Sequence, residues 1–255
     1  MAGRAPRAQA CAGQRRGVAA GVPHASRRGA TAAGPGVAAA RRSGGGARAG
    51  PPALVPEECL ARAMACGAAG PKGAWARRGL SWPGPLDRTT QAMLLRQLYL
   101  SHFDRCQFDQ AYEIASQALG LGVLADVVHQ DCARAKQAAG ELDLAVGHLR
   151  LAARLGPPSR RAFHWWTMGA VLLLAGRAQE AIAALSRAAR WGAADKPLYQ
   201  GHLALARIAA GQRVRNAAKL IDRLAKCPAG QGYGRFVLGQ LAFHNERWEE
   251  ARAYL

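Results

Sequence analysis

Five alanines recur through the second half of this 255-residue chain: Ala111, Ala145, Ala181, Ala217 and Ala251. They stand 34, 36, 36 and 34 residues apart, and their neighbours recur with them. A turn position precedes each by five or six residues, at Cys106, Gly140, Gly176, Gly211 and Glu246. An apolar residue precedes each by three, at Phe108, Leu142, Ala178, Val214 and Trp248. A period of this size marks repeated helix pairs. No pair can bury its apolar face alone, so the units must stack into an all-α solenoid. Such a chain is built to bind along a surface rather than to catalyse in a cleft.

The excess charge is unevenly placed. Of the net +19, residues 1–80 carry 13 Lys and Arg against Glu57 and Glu58, and residues 81–255 carry 22 against 14 acids. Up to Glu57 the chain is mainly Ala, Gly, Arg and Pro, with Leu54 its only leucine and no aromatic residue. Too little bulky apolar surface is present to offset the entropy of ordering, so residues 1–80 are expected to be a disordered leader. Three origins compete for it. It is an overextended start with Met64 as the true initiator, a basic tail, or a targeting segment. Against targeting, its hydroxyl residues are only Ser26, Thr31 and Ser43, and no apolar stretch follows Arg15-Arg16, Arg27-Arg28 or Arg41-Arg42. No run of about 20 apolar residues exists to span a membrane. A basic chain attracts polyanions generally, but more than half of this charge lies in the leader, which makes nucleic acid the weaker partner class.

The six cysteines form no C-x-x-C pair and no zinc-ligand spacing with histidine. A reducing cytoplasm is the simplest compartment, and no metal is expected. His102, His129, His148, His164, His202 and His244 are scattered over all five units. There is no phosphate loop, dinucleotide fingerprint, nucleophile elbow or paired-carboxylate motif, so neither catalysis nor a cofactor is expected.

From Pro83 onward the pattern is helical. Thr89 and Thr90 sit where a helix cap belongs, before Met93, Leu94, Leu98 and Phe103 at helical spacing. Breakers fall between units at Gly120 and Gly122, Gly156-Pro157-Pro158, Pro197, and Pro228 with Gly230. The stretch from Trp165, with Met168, Gly169, Gly176, Glu180, Ala181, Leu185 and Ala188, resembles the tetratricopeptide repeat family. So does the last unit, through Leu238, Gly239, Trp248, Glu250 and Ala251. Cys132 and Ala133 replace the large residue and glycine of the second unit, Cys106 takes the turn glycine of the first, and the fourth has one extra turn residue near Val214. The resemblance covers about residues 92–255 and implies a right-handed superhelical α-solenoid with units at 92–125, 126–159, 162–196, 197–231 and 232–255. The related RNA-reading pentatricopeptide repeats fit less well.

In tetratricopeptide proteins the first helix of each pair lines a concave groove that holds a peptide. The resemblance places Arg96, Leu100 and Phe103 there from unit one, and Gln130, Arg134 and Gln137 from unit two. Units three and four add Phe163, Trp166, Ala170, Leu173, Leu198, Leu205 and Ile208. Unit five adds Tyr233, Phe236, Gln240 and Phe243. Each apolar member also has a core reading. Trp166 is the exception, because Trp165 is assigned the core. The groove is basic at one end and aromatic at the other, so an amphipathic protein segment with an acidic end is the expected partner. Where some family members clamp acidic chaperone termini, this chain has Arg96, Leu100, Asp131, Phe163 and Thr167, which does not match that specificity.

Arg215, Lys219, Arg223 and Lys226 form a basic stripe on the second helix of unit four, expected to be a solvated face. The last unit stops partway through its second helix, which leaves two functional classes open. One is an adaptor. The other is the recognition arm of a larger enzyme, such as a transferase, whose catalytic domain lies beyond Leu255.

Overall fold

The computed structural model describes residues 55–193, 195–228 and 234–255. Among these every regular element is a helix. In chain order they are α1 Pro56–Ala65, α2 Ala69–Leu80, α3 Arg88–Phe103, α4 Phe108–Leu119, α5 Ala125–Ala138 and α6 Leu142–Leu155. There follow α7 Pro158–Leu174, α8 Ala178–Trp191, α9 Lys196–Ala209, α10 Ala217–Ala225, α11 Arg235–His244 and α12 Trp248–Tyr254. Successive helices pack on one another, and the first helices of neighbouring pairs touch as well, α3 on α5, α7 on α9 and α9 on α11. This is an all-α stack in which each element meets only near neighbours in sequence.

The turns show why the period is so regular. Cys106, Gly140, Gly176, Gly211 and Glu246 all lie in the left-handed region, at φ 59°, 86°, 72°, 71° and 59°. In each case the next residue's N–H reaches back across the turn to a carbonyl of the first helix. The bonds are Gln107 to His102, Glu141 to Lys136, Arg177 to Leu172, Gln212 to Arg207 and Arg247 to Ala242, at 2.8–3.0 Å. The same helix-ending motif therefore closes all five pairs. Glycine adopts that conformation freely, whereas Cys106 and Glu246 give up about 1 kcal/mol each to hold it. In the fourth pair a second left-handed residue, Asn216, delays the return helix, and α10 starts at the repeat alanine itself.

All five repeat alanines are buried. At the crossing of α7 and α8 the backbones approach so closely that a Cβ on Gly169 would collide with Leu185. Gly239 stands in the same relation to Leu255.

Several expectations are corrected. Residues 56–80, assigned to the leader, form α1 and α2, which pack against each other and against α3. Small residues make that packing close. A Cβ on Gly73 would strike Ser101, and one on Gly79 would meet Leu94 and Cys59. The helical unit therefore begins at Val55. With it the charge balance moves, since residues 55–255 hold 26 Lys and Arg against 16 acids. The cap of α3 is Asp87, whose carboxylate accepts the Thr90 backbone N–H at 2.9 Å, rather than either threonine. Trp248, the apolar residue three before the last repeat alanine, is exposed rather than buried beside it. The expected disorder of residues 1–54 lies outside the described residues.

The apolar core falls into two clusters. One joins α3, α4 and α5 through Leu95, Tyr99, Ala111 and Cys132. The other runs from α5 and α6 to α11 through Leu149, Trp166, Leu185, Tyr199 and Leu241. The divide falls at α5, where polar side chains take over.

Candidate binding face on the first helices

The first helices α3, α5, α7 and α9 are joined by polar contacts that repeat at the unit spacing, and α11 packs on α9 after them. Arg96 on α3 donates to Asp131 on α5 at 2.8 Å. Asp126 on α5 accepts a two-pronged contact from Arg160 on α7, at 2.7 and 2.9 Å. Gln130 on α5 meets His164 on α7 at 3.0 Å. Trp166 on α7 donates to His202 on α9 at 3.1 Å. The partners are separated by 34–36 residues, so each bond joins equivalent turns of neighbouring units.

The polar seam between α5 and α7 is almost wholly buried on the α5 side. Burial works to raise the Asp126 carboxyl, but the bonds from Arg160 and His164 outweigh it and hold the group below its usual range. Burial also lowers the His164 imidazole, against the pull of Asp126. A neutral His164 donates from Nε2 to Asp126 at 3.1 Å and must then accept at Nδ1. A half-turn of the Gln130 amide supplies that donor, while the Thr167 hydroxyl donates to the Phe163 or His164 carbonyl. Asp131 behaves differently. Burial raises its carboxyl despite Arg96 and Arg134. Beside Arg96 and Asp131 lies a cavity of about 10 Å³, bordered by Tyr99, Ala115 and Val128. It has room for about one water and for no larger ligand.

The expected groove residues separate into three groups. Arg96, Arg134 and Phe103 come together at one end, with the Arg134 guanidinium 4.8 Å above the Phe103 ring. Much of that cationic character is already engaged, Arg96 by a buried acid and Arg134 by a π face. Gln130, Trp166 and Leu173 face inward to differing degrees. Gln130 is buried in the seam, Leu173 is half-buried against the core, and Trp166 is only 8 % exposed. Trp166 is the clear correction. It sits against Phe163, Tyr199 and His202, while Trp165 lies half-buried under Arg187, whose guanidinium carbon stands 4.5 Å from the ring. Thus the indole assigned to the groove belongs to the core.

The third group is open. Phe236 is 61 % and Phe243 51 % exposed, seven residues apart on α11 and therefore on one face. Between them Gln240 is half-buried. Trp248 at the start of α12, 56 % exposed, meets Phe243 edge-on with ring centroids 5.3 Å apart. Tyr233 lies outside the described residues. The seam residues Asp126, Arg160 and His164 do not stand out in the sequence, although the 34-residue separations of Asp126 from Arg160 and of Gln130 from His164 match the spacing of the alanines.

Among the described residues no group of three or more His, Cys, Asp or Glu is placed to hold a metal ion, and no helix is long and apolar enough to cross a membrane. No protein-family model matches the chain, and no curated protein matches it.

Proposed function

We propose that this chain is a tetratricopeptide-type adaptor that holds a segment of another protein against its first helices. The observation that carries this reading is the open aromatic face of Phe236, Phe243 and Trp248. Exposed aromatic side chains grouped on one face are the usual anchors of a protein interface. The engaged but still partly exposed Arg96 and Arg134 at the far end favour an acidic terminus on the bound segment, which is amphipathic in this reading. The cytoplasm is the proposed compartment, supported by six cysteines without paired spacing.

The test compares proteins captured by the whole chain with those captured by Phe236→Ala and by Phe243→Ala. Both residues are on the surface, so folding should be unchanged by circular dichroism. Partners of the native chain should be lost from both variants, with affinity down at least about tenfold, as expected for an anchor worth 2 kcal/mol or so. Full retention of every partner by both variants sinks the proposal. Trp166→Ala is unsuitable for this purpose, because it removes core packing.

A further inference from the structure

Successive second helices carry a cation at the same register. Arg154 ends α6, Arg190 lies in the last turn of α8, and Lys226 closes α10, each 36 residues after the one before. A second pair, Arg187 and Arg223, repeats at the same interval about one turn earlier. All five are exposed, and none makes an ion pair within the described residues, although Arg187 also lies over the Trp165 ring. The acids of these helices are engaged or remote. Asp143 and Glu180 lie in first turns and bind Arg177, and Asp222 faces Arg247. Next to Arg190 stands Trp191, its indole more than half exposed. A helix dipole favours one cation at each C-terminus. It requires neither the second cation a turn earlier nor an exposed indole beside them.

We propose that this ridge of second helices binds single-stranded nucleic acid, with phosphates on the repeated cations and an unpaired base stacked on Trp191. Cations at a fixed interval suit a linear polyanion, and an exposed indole suits a base with a free face, which a duplex lacks. Residues 1–54 cannot be the occupant, since they hold nine arginines and no acid. A second copy of this basic chain is disfavoured on the same ground. The ridge lies on the second helices and the proposed protein-binding face on the first, so the two functions stand or fall separately.

The experiment uses the full chain and a fluorescein-labelled oligouridylate of ~16 nucleotides, followed by anisotropy over a range of salt. The ridge variant replaces Arg154, Arg190 and Lys226 by Gln. The control replaces Arg15, Arg16 and Arg27 by Gln, for the same loss of charge. The ridge variant should bind at least about tenfold more weakly, with a salt slope shallower by about 2, near 0.7 per phosphate contact. The control should stay within about twofold of the native chain. Trp191→Ala should weaken binding about fivefold or more at an unchanged slope. Three results overturn the proposal: absence of binding, equal losses in ridge and control variants, or competition by polyglutamate as effective as that of unlabelled RNA. The last would assign the ridge to an acidic polypeptide.

Discussion

Trp166 and Trp165 are neighbours on one helix, about 100° apart around its axis, and Trp166 takes the more deeply buried place while Trp165 packs half-buried at the edge of the same core. The repeat pattern assigned the inward position to Trp165, yet His202 and Tyr199 on the next unit draw Trp166 in. Trp166→Ala is expected to cost about 3–5 kcal/mol, the range for a large aromatic lost from a core. A urea midpoint equal to that of the native chain would place the indole outside. His202 adds a dependence on pH. Its Nδ1 accepts the Trp166 N–H, so it is neutral, and burial pushes its pKa down to about 4. An unfolded imidazole takes up a proton near pH 6.5. The contribution of neutral His202 is therefore complete above about pH 6.5 and lost as pH falls toward 4, amounting to roughly 3 kcal/mol. His129, His148 and His164, also lowered by burial, push in the same direction. The informative quantity is thus the difference between the native chain and His202→Gln at pH 7.5 and pH 5. The variant should lose less stability on acidification, and equal losses would rule out His202 as the source. Gly169 makes the same point sterically. Gly169→Ala must displace Leu185 and should cost about 1–3 kcal/mol.

At the scale of elements, ion pairs of similar geometry have different weights. Asp126 is buried and holds Arg160 and His164, whereas Asp143, with its side chain 89 % exposed, holds Arg177. Losing Asp126 leaves a buried imidazole without its acceptor and the α5–α7 seam without its hub. Asp126→Ala should cost about 1–3 kcal/mol, because Arg160 is still able to reach water. Asp143→Ala should cost less than about 1 kcal/mol. Equal melting temperatures for the two variants would show that the seam does not join the units. The helix pairs themselves were legible in sequence, because turn residues, buried alanines and period all report the same local geometry. The seam was not. Asp126 and Arg160 look like ordinary surface charges until the helices are stacked, and only their spacing hints at contact.

Across the whole molecule, α1 and α2 extend the stack to Val55. Leu94 is fully buried at their junction with α3, and Cys59 and Ala76 are buried with it. A chain beginning at Ser81 should melt roughly 5–10 °C below one beginning at Val55, from about 3 kcal/mol of lost apolar burial. Identical melting curves would show that α1 and α2 contribute nothing to the stack. The low content of large apolar residues in residues 56–80 concealed these helices. They pack through Gly73, Ala76 and Gly79, which a search for bulky periodic residues passes over.

The sequence by itself determined where the chain turns and which alanines are buried, because a left-handed residue and a close helix crossing each restrict the residue types allowed at one position. Tertiary structure alone decided which tryptophan is the more deeply buried, which arginines are already engaged, and how much charge the helical stack from Val55 carries. Those outcomes depend on the rotation of each helix against its neighbour. That rotation is set by packing across units some 35 residues apart, not by the residues within a turn.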